Sequence, residues 1–320
     1  MVRPSSVFAS TVAPNDLAGV SNQSKAAPLG QVTPTVYGNS DRPPRGDYTQ
    51  ARADYTCDQH HHAYTAQDHA TYRKLFARQS TLLPGLAAQA FIDTLPLLGA
   101  SDAIPRFEDI NARLLSATGW QLVGVPGLIP EVPFFTLLSE RKFPVTTWIR
   151  TPEEFDYVVE PDLFHDLFGH VPLLFNPSYA NHIQAYGAGA LKAHVLEHGP
   201  QQIKGAVEML SRLYWYTIEF GLVQEGMPAT GGAADTSTNG SACWRAYGAG
   251  ILSSHGELEH SVKSAVPARV ALRNPADVLR CMASSYKIDT YQQQYFVIDS
   301  FDALLALTAP DFTPYYRSLA

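Results

Sequence analysis

The stretch "DLFHDLFGHVP", residues 162–172, places two histidines, His165 and His170, five positions apart in an apolar segment. On a regular α-helix, residues five apart point about 140° away from each other, because each residue turns the chain by about 100°. The two side chains share a metal ion only if His165 lies at the helix start, where the backbone is less regular. Asp162 follows Pro161 and is able to cap such a start. Spacing alone leaves open a metal-binding pair and a polar face on a core helix.

Glu219 is the candidate third ligand. It lies in "RLYWYTIEFGL", residues 212–222, which we predict to be the most apolar helix of the chain. Burial of a carboxylate there costs free energy unless the group is paired or binds a metal, and an ion pair with Arg212 or Arg245 is the alternative. Two imidazoles and one carboxylate are typical of non-haem Fe(II) oxygenases, and the same three ligand types form catalytic zinc sites.

The composition is that of a globular protein. The chain has 320 residues, of which 45% are hydrophobic and 17% charged, enough for one sizeable core. Its formal net charge of -7 argues against nucleic acid as a partner. The three cysteines are widely spaced and odd in number, which favours a reducing compartment over a disulfide framework. We find no membrane span or signal peptide in the sequence and expect a cytoplasmic protein.

Residues 1–50 are rich in Pro, Ser, Ala, Gly and Asn, and we predict a disordered N-terminal tail there. The remaining residues, 51–320, are expected to form a single domain that is mainly α with a few short β-strands, because no αβ alternation is present. A segment of small polar residues, 226–243, is predicted to be a flexible inserted loop. The predicted helices span 66–83, 85–99, 107–119, 131–140, 178–197, 201–222 and 274–284, with a short one after 300, and the predicted strands span 122–125, 145–149 and 292–299.

The stretch "CDQHHHAYTAQDH", residues 57–69, suggests a second metal site at first sight. Adjacent side chains in an unpatterned segment cannot all point at one ion, and no zinc-module spacing is present. We therefore predict that these histidines are solvated and precede the first long helix.

Four motifs together resemble the pterin-dependent aromatic amino acid hydroxylases, and bacterial phenylalanine 4-hydroxylases most of all. They are "VPGLIP" (125–130), "RTPEEFDYVVEPDLFHDLFGHVPLLFNP" (150–177), "RLYWYTIEFGL" (212–222) and "YGAGILSS" (247–254). The resemblance implies the single catalytic domain of that fold. It also implies an Fe(II)- and tetrahydropterin-dependent monooxygenase that converts phenylalanine to tyrosine in phenylalanine catabolism. The pterin would be tetrahydrobiopterin or a related compound.

The resemblance also implies roles for individual residues around the iron and the amino acid. His165, His170 and Glu219 match the iron ligands, and Arg150 matches the arginine that binds the substrate carboxylate, for which a guanidinium fork is suited. Without the family, a surface ion pair of Arg150 with Glu153 or Glu154 is the preferred interpretation. Further matched positions are Trp215 as an aromatic wall, Gly250 and Ser253 around the amino acid, and Glu257, which is expected to orient Arg150 or to bond near the site.

For the pterin, the resemblance implies a site where the ring stacks on an aromatic face and backbone groups bond its edge. The matched positions are Gly127, Leu128, Ile129, Phe134 and Tyr214; from sequence alone they are a tight turn followed by core packing. Asp166 follows the first histidine, where relatives carry an acidic residue, and we expect it to act beside the metal or on the pterin side.

Two alternatives remain. A tryptophan or tyrosine hydroxylase of the same family differs in the shape of the pocket, which a few side chains can change. A zinc hydrolase would use the same His/His/Glu set with a general base, yet the second histidine is one residue too late for H-E-x-x-H. The chain lacks the regulatory domain and the C-terminal oligomerisation helix of the animal enzymes, so we expect a monomer.

Overall fold

A computed structural model describes residues 45–199, 203–225, 244–288, 290–309 and 311–319. They form one mainly helical domain with short strands, which confirms the predicted fold class. Most of the predicted tail and all of the predicted inserted loop lie outside the described residues. Among the described residues, no helix combines the length and hydropathy of a membrane-spanning segment.

Helices account for most of the described chain. Their bounds are α1 (Ala66–Leu82), α2 (Gln89–Thr94), α3 (Phe107–Thr118), α4 (Glu131–Ser139), α5 (Pro177–His198), α6 (Ala206–Tyr214), α7 (Ala249–Leu252), α8 (His255–Lys263), α9 (Pro275–Ala283), α10 (Phe301–Thr308) and α11 (Thr313–Leu319). The predicted end of α3 is confirmed: Gly119 has φ 75°, and its N–H bonds the Leu114 and Leu115 carbonyls.

The strands form two small sheets. β1 (Gln121–Val125) and β2 (Lys142–Thr146) pair in parallel. β3 (Leu222–Gln224), β4 (Trp244–Ala246), β5 (Ala268–Ala271) and β6 (Gln294–Ile298) form the second sheet in the order β4-β3-β6-β5. The strand predicted at 145–149 ends at Thr146 instead, because the Trp148 carbonyl accepts from the Leu163 N–H rather than from a neighbouring strand.

The helix predicted over 85–99 is wrong in its extent. Leu86 and Ala88 exchange backbone hydrogen bonds with Ala246, which holds Ala87 between them in a β-bridge and keeps this segment out of the helix. The α-helix then ends at Thr94, and residues 95–98 form a 3-10 turn. Pro96 lies in that turn and has no N–H with which to continue the α-helical pattern.

The helix predicted over 201–222 is shorter than expected and divides into two parts. Its regular part, α6, begins after Gly205, which has φ 76°. Residues Trp215–Glu219 then form a π-helical turn, and the Phe220 N–H bonds the Trp215 carbonyl at 2.7 Å. Leu222 is already in a strand, because its backbone pairs with β4 and β6.

A second π-helical segment, His165–His170, lies in the centre of the core. Leu167 and Phe168 within it are fully buried. At Gly169 a Cβ atom would lie 2.8 Å from the Ala249 carbonyl oxygen, so a larger residue would push α7 away. The close approach holds the start of the "YGAGILSS" motif against the two histidines.

Residues 45–50, the last six residues of the predicted tail, lie within the described part of the chain. Arg45 pairs with Glu154 at 2.5 Å, and its guanidinium lies 4.4 Å from the centre of the Trp148 ring. Tyr48 donates a hydrogen bond to the Leu128 carbonyl at 2.8 Å. Residues 45–48 therefore pack on the loop that contains "VPGLIP".

Candidate active site and metal centre

His165 and His170 lie at the two ends of one π-helical segment, and this explains their spacing. In a π-helix each N–H bonds the carbonyl five residues before it, so side chains five positions apart point in similar directions. The two imidazole ring centres are 5.1 Å apart with an interplanar angle of 80°. The irregular backbone that the sequence analysis required at His165 is therefore present, and it extends over the whole pair.

Glu219 meets both histidines from the second π-helical turn. Its carboxylate oxygens lie 3.6 Å from His165 Nε2 and 3.2 Å from His170 Nε2. Arg212, one of the two alternative partners, instead pairs with Glu208 at 2.6 Å. Burial opposes the charge on Glu219, but His170 and then His165 outweigh it and lower the pKa of the carboxylate.

The imidazole of His165 is held in the neutral form that binds metals. Burial lowers the pKa of His165 to about 4. Ser253 donates its hydroxyl hydrogen to the Ala249 carbonyl at 2.8 Å, so it accepts the hydrogen bond from His165 Nδ1, also at 2.8 Å. This contact keeps the proton on Nδ1 and leaves the Nε2 lone pair facing Glu219.

Asp166 is a second carboxylate near the imidazoles. One side-chain atom each from His165, Asp166 and His170 lie within 4.8 Å of one another, the spacing of a possible metal site. Asp166 Oδ2, however, accepts the backbone N–H of Thr146 at 2.7 Å, and burial raises the pKa of Asp166 to about 7. Glu219 is the better third ligand, because it approaches both imidazole nitrogens and keeps its charge.

Arg150 is buried, with 5% of its surface exposed, and it is not paired with Glu153 or Glu154. Its Nε and Nη2 each donate to one oxygen of Asp162, both at 2.8 Å. Burial disfavours the charge on Asp162, but Arg150 outweighs it and lowers the pKa of the carboxylate. Asp162 Oδ1 also accepts the His165 N–H at 3.0 Å, so the predicted cap is present and has a second partner.

A cavity of about 650 Å³ opens beside the metal ligands, large enough for an amino acid. It is lined by every residue that the sequence analysis assigned to substrate: Arg150, Trp215, Gly250, Ser253 and Glu257. Trp215 is stacked between Phe220 and Tyr286, with ring centres 4.4 and 4.2 Å away. Glu257 bonds Tyr295 and the Gln292 N–H at 2.5 and 3.0 Å, so Asp162, not Glu257, orients Arg150.

A smaller cavity of about 90 Å³ lies on the other side of the ligands. Its lining includes all five residues assigned to the pterin: Gly127, Leu128, Ile129, Phe134 and Tyr214. The Phe134 and Tyr214 rings meet edge to face, with centres 6.1 Å apart. His165 and Glu219 line both cavities, so the candidate metal centre stands between them.

Two of the four histidines in residues 60–69 have hydrogen-bond partners, and the other two, His60 and His62, are exposed as predicted. His61 Nε2 lies 2.9 Å from the Ile104 carbonyl, and His69 Nδ1 accepts the Ile104 N–H at 3.2 Å. Among the described residues, the group around His165 is the only cluster with metal-ligand spacing. The contacts of His61 and His69 hold the start of α1 against the loop that contains Ile104.

Sequence reasoning missed three residues that touch this site: Tyr48, Asp162 and Gln292. Tyr48 was assigned to the tail, and Asp162 was considered only as a helix cap. Gln292 accepts the indole N–H of Trp215 at 3.0 Å, across 77 positions of sequence. The one usable signal in the sequence was the position of Asp162, directly after Pro161 and three residues before His165, and it indicated only a helix cap.

Comparison with known proteins identifies relatives over most of the chain. The family model for biopterin-dependent aromatic amino acid hydroxylases matches residues 31–309, beginning inside the predicted tail. The chain is 49% identical over 269 residues to a phenylalanine-4-hydroxylase of Ralstonia nicotianae, covering 84% of this chain and 77% of the relative. It is 48% identical over 268 residues to that of Chromobacterium violaceum, covering 83% and 81%.

Solved structures give the same result. The iron- and phenylalanine-bound crystal structure of phenylalanine hydroxylase from Chromobacterium violaceum matches with a TM-score of 0.72 and 46% identity, over 84% of this chain and 89% of that one. A cobalt-bound structure of the same enzyme matches with a TM-score of 0.73 and 47% identity, over 84% and 88%.

Proposed function

Since the chain belongs to the biopterin-dependent aromatic amino acid hydroxylases, we propose that it hydroxylates phenylalanine to tyrosine with O₂ and a tetrahydropterin. The relatives at 40% to 49% identity are phenylalanine-4-hydroxylases, which supports phenylalanine over tryptophan or tyrosine as the substrate. We propose a mononuclear Fe(II) held by His165, His170 and Glu219.

The observation that carries this proposal is the position of the three ligand groups. Two imidazole nitrogens and one carboxylate converge within 3.2 to 3.6 Å at the border of two cavities. This donor set fits Fe(II) and leaves coordination positions open. His170 supports the fit, because its Nε2 is the nitrogen directed at Glu219, 3.2 Å from the carboxylate.

When bound, Fe(II) and the tetrahydropterin supply the activation of O₂, and the protein supplies position and a dry pocket. Arg150 binds the substrate carboxylate with the donors that Asp162 leaves free, and burial makes this charge pairing strong. Ser253 keeps His165 in the tautomer that binds the metal. Trp215 and Phe220 form an apolar wall for the substrate ring.

The pterin is proposed to bind at the mouth of the smaller cavity, because about 90 Å³ is too little to enclose the whole group. Backbone groups of Gly127, Leu128 and Ile129 bond its edge, and Phe134 and Tyr214 contact its ring. Asp166 lines the same cavity, and burial raises its pKa to about 7. Near neutral pH it therefore donates a hydrogen bond to a ring nitrogen when protonated and accepts one from a ring N–H when ionised.

Three further expectations remain predictions from the sequence: a single catalytic domain after residue 50, a protomer that acts alone, and a cytoplasmic location.

The test is reconstitution with Fe(II) without oxygen, followed by phenylalanine, a tetrahydropterin and O₂, with products separated by chromatography. We expect tyrosine, formed only when iron and pterin are both present. Tryptophan and tyrosine are tested in parallel, and faster turnover of either would reassign the substrate within the family. A folded protein that forms no product from any of the three would overturn the proposed activity.

A further inference from the structure

Gln292 is a buried glutamine, 5% exposed, in the lining of the larger cavity. Its side-chain oxygen accepts the indole N–H of Trp215 at 3.0 Å. Its side-chain nitrogen donates to the carbonyls of Lys287 and Thr290 at 2.7 and 3.3 Å. Both polar ends of the side chain are therefore bonded to protein groups, so Gln292 acts on Trp215 and not as a direct ligand of the substrate.

The bond to Gln292 distinguishes Trp215 from the other tryptophans. The chain has four, and the indole nitrogens of Trp120, Trp148 and Trp244 are buried without a hydrogen-bond partner. Trp215 is thus the tryptophan whose indole N–H has a protein acceptor. The acceptor at Trp215 is a specific feature of the cavity wall.

The stack around Trp215 needs such a bond to set its orientation. Phe220 and Tyr286 cover the two faces of the indole, with interplanar angles of 29° and 11°. Stacking fixes the plane of the ring but is compatible with both flips of the indole about its Cβ–Cγ bond. A hydrogen bond is directional and selects one orientation. Gln292 therefore decides which edge of the indole faces the cavity.

Gln292 is itself held in place on both sides. Its backbone N–H donates to Glu257 Oε1 at 3.0 Å, and the Tyr295 hydroxyl donates to the same oxygen at 2.5 Å. Glu257 lies 5% exposed in α8, so a rigid helix anchors the segment that carries Gln292. The chain of contacts runs from α8 through Gln292 to the aromatic wall.

On the basis of the proposed function, we propose that Gln292 is a specificity-determining positioning residue, which fixes the Trp215 indole and thereby the shape of the wall that meets the substrate ring. The fixed wall favours the phenyl side chain over the larger indole of tryptophan. Loss of the bond lets the Trp215 ring move aside for a larger substrate and removes its contact with a smaller one.

The test compares Gln292→Met with Gln293→Met. Methionine keeps the length of the side chain but offers no comparable acceptor. Gln293 is the adjacent glutamine, is exposed, and bonds only the Tyr291 carbonyl through its side chain. The readout is the ratio of kcat/KM for phenylalanine to that for tryptophan, together with the KM for the tetrahydropterin.

For Gln292→Met we expect the ratio to fall by about threefold to tenfold, with a higher KM for phenylalanine. The KM for the pterin stays within about twofold, because the pterin residues line the other cavity. Gln293→Met keeps the wild-type ratio. If Gln292→Met only destabilised the protein, activity on phenylalanine and on tryptophan would fall by the same factor. The ratio of the two kcat/KM values would then stay at the wild-type value, and this result would overturn the proposal.

A double-mutant cycle with Trp215→Phe isolates the bond. Phenylalanine keeps a ring in the stack but has no N–H, so Gln292→Met in that background should change the ratio little further. Additive effects of the two substitutions would overturn the proposal. If Gln292→Met does not fold, Trp215→Phe removes the same bond from the other side and must lower the ratio. An inactive wild-type protein would refute the proposed function instead, so the two failures are distinguishable.

Discussion

Arg150 and Asp162 form a buried two-point ion pair, with Nε–Oδ2 and Nη2–Oδ1 distances of 2.8 Å each. The same carboxylate accepts the backbone N–H of His165 at 3.0 Å. The proposed substrate-binding cation and the first proposed metal ligand therefore share one acid. A change at Asp162 acts on both, although Asp162 belongs to neither group.

Replacement of Asp162 tests this link. Asp162→Asn removes the charge that compensates buried Arg150, and breaking such a pair costs about 3–5 kcal/mol. We expect a loss of that size in the free energy of unfolding in urea, and a higher KM for phenylalanine in the protein that remains folded. Asp299→Asn is the control, because Asp299 pairs with Arg273 in solvent and such pairs contribute at most about 1 kcal/mol. Equal losses in the two variants would contradict the buried pair.

Substitutions of the two carboxylates near the imidazoles are expected to differ in their effect on iron content. Glu219→Gln loses a charged ligand, so we expect iron below about a tenth of the wild-type stoichiometry and no turnover. Asp166→Asn should retain iron and raise the KM for the pterin, because Asp166 faces the smaller cavity. Iron content is measured after anaerobic loading and desalting. If Glu219→Gln kept the wild-type iron stoichiometry and Asp166→Asn lost iron, Asp166 and not Glu219 would be the third ligand.

Ser253 is expected to control metal affinity through His165. Ser253→Ala removes the acceptor of the Nδ1–H hydrogen bond, and outer partners of this kind change metal affinity by about 10- to 100-fold. Calorimetric titration with Co(II) or Fe(II) measures the change. Ser284→Ala serves as control, since the exposed Ser284 hydroxyl bonds only the Arg280 carbonyl. Unchanged metal affinity in Ser253→Ala would show that His165 is oriented by other contacts.

Tyr48 is expected to position the loop at the pterin cavity. Tyr48→Phe removes the bond to the Leu128 carbonyl, worth about 0.5–1.5 kcal/mol, or about a 2- to 12-fold rise in the KM for the pterin. The KM for phenylalanine should not change. Tyr315→Phe breaks a bond of the same type, to the Leu307 carbonyl, away from both cavities. An equal rise in pterin KM for both variants would disprove the local role.

The raised pKa of Glu131 predicts that the free energy of unfolding depends on pH. Burial, together with the charge of Glu197, raises the pKa of Glu131 to about 7 from 4.5. The folded state therefore favours the protonated acid, so its contribution to stability is fully present below about pH 4.5 and is lost as the pH rises through 7. Glu131→Gln should raise the free energy of unfolding at pH 8 by up to about 2–3 kcal/mol, and by little at pH 5.

The measurement is urea unfolding at both pH values. Glu140→Gln is the control, because Glu140 is exposed beside Lys142. A pH-independent effect of Glu131→Gln would show that Glu131 is ionised in the folded protein.

Local patterns determined many of the helices. Periodicity located α1, α3 and α5, and the end of α3 at Gly119 followed from the need for positive φ at that position. The helical repeat predicted the wrong structure where backbone groups bond to residues distant in sequence. Residues 86–88 pair with Ala246, and Leu222 joins a sheet, which a helical repeat in the sequence does not show.

By itself, the sequence determined the mainly helical class and the residue types of the site, and its long motifs pointed to the family. It left the two histidines undecided, because an α-helix would point them apart. Only the tertiary structure decided that both ligand segments are π-helical, that Asp162 holds Arg150, and that two cavities meet at His165 and Glu219. The physical reason is that burial and long-range partners set these features: a buried charge takes the partner that the packed fold places beside it, which the order of residues along the chain does not specify.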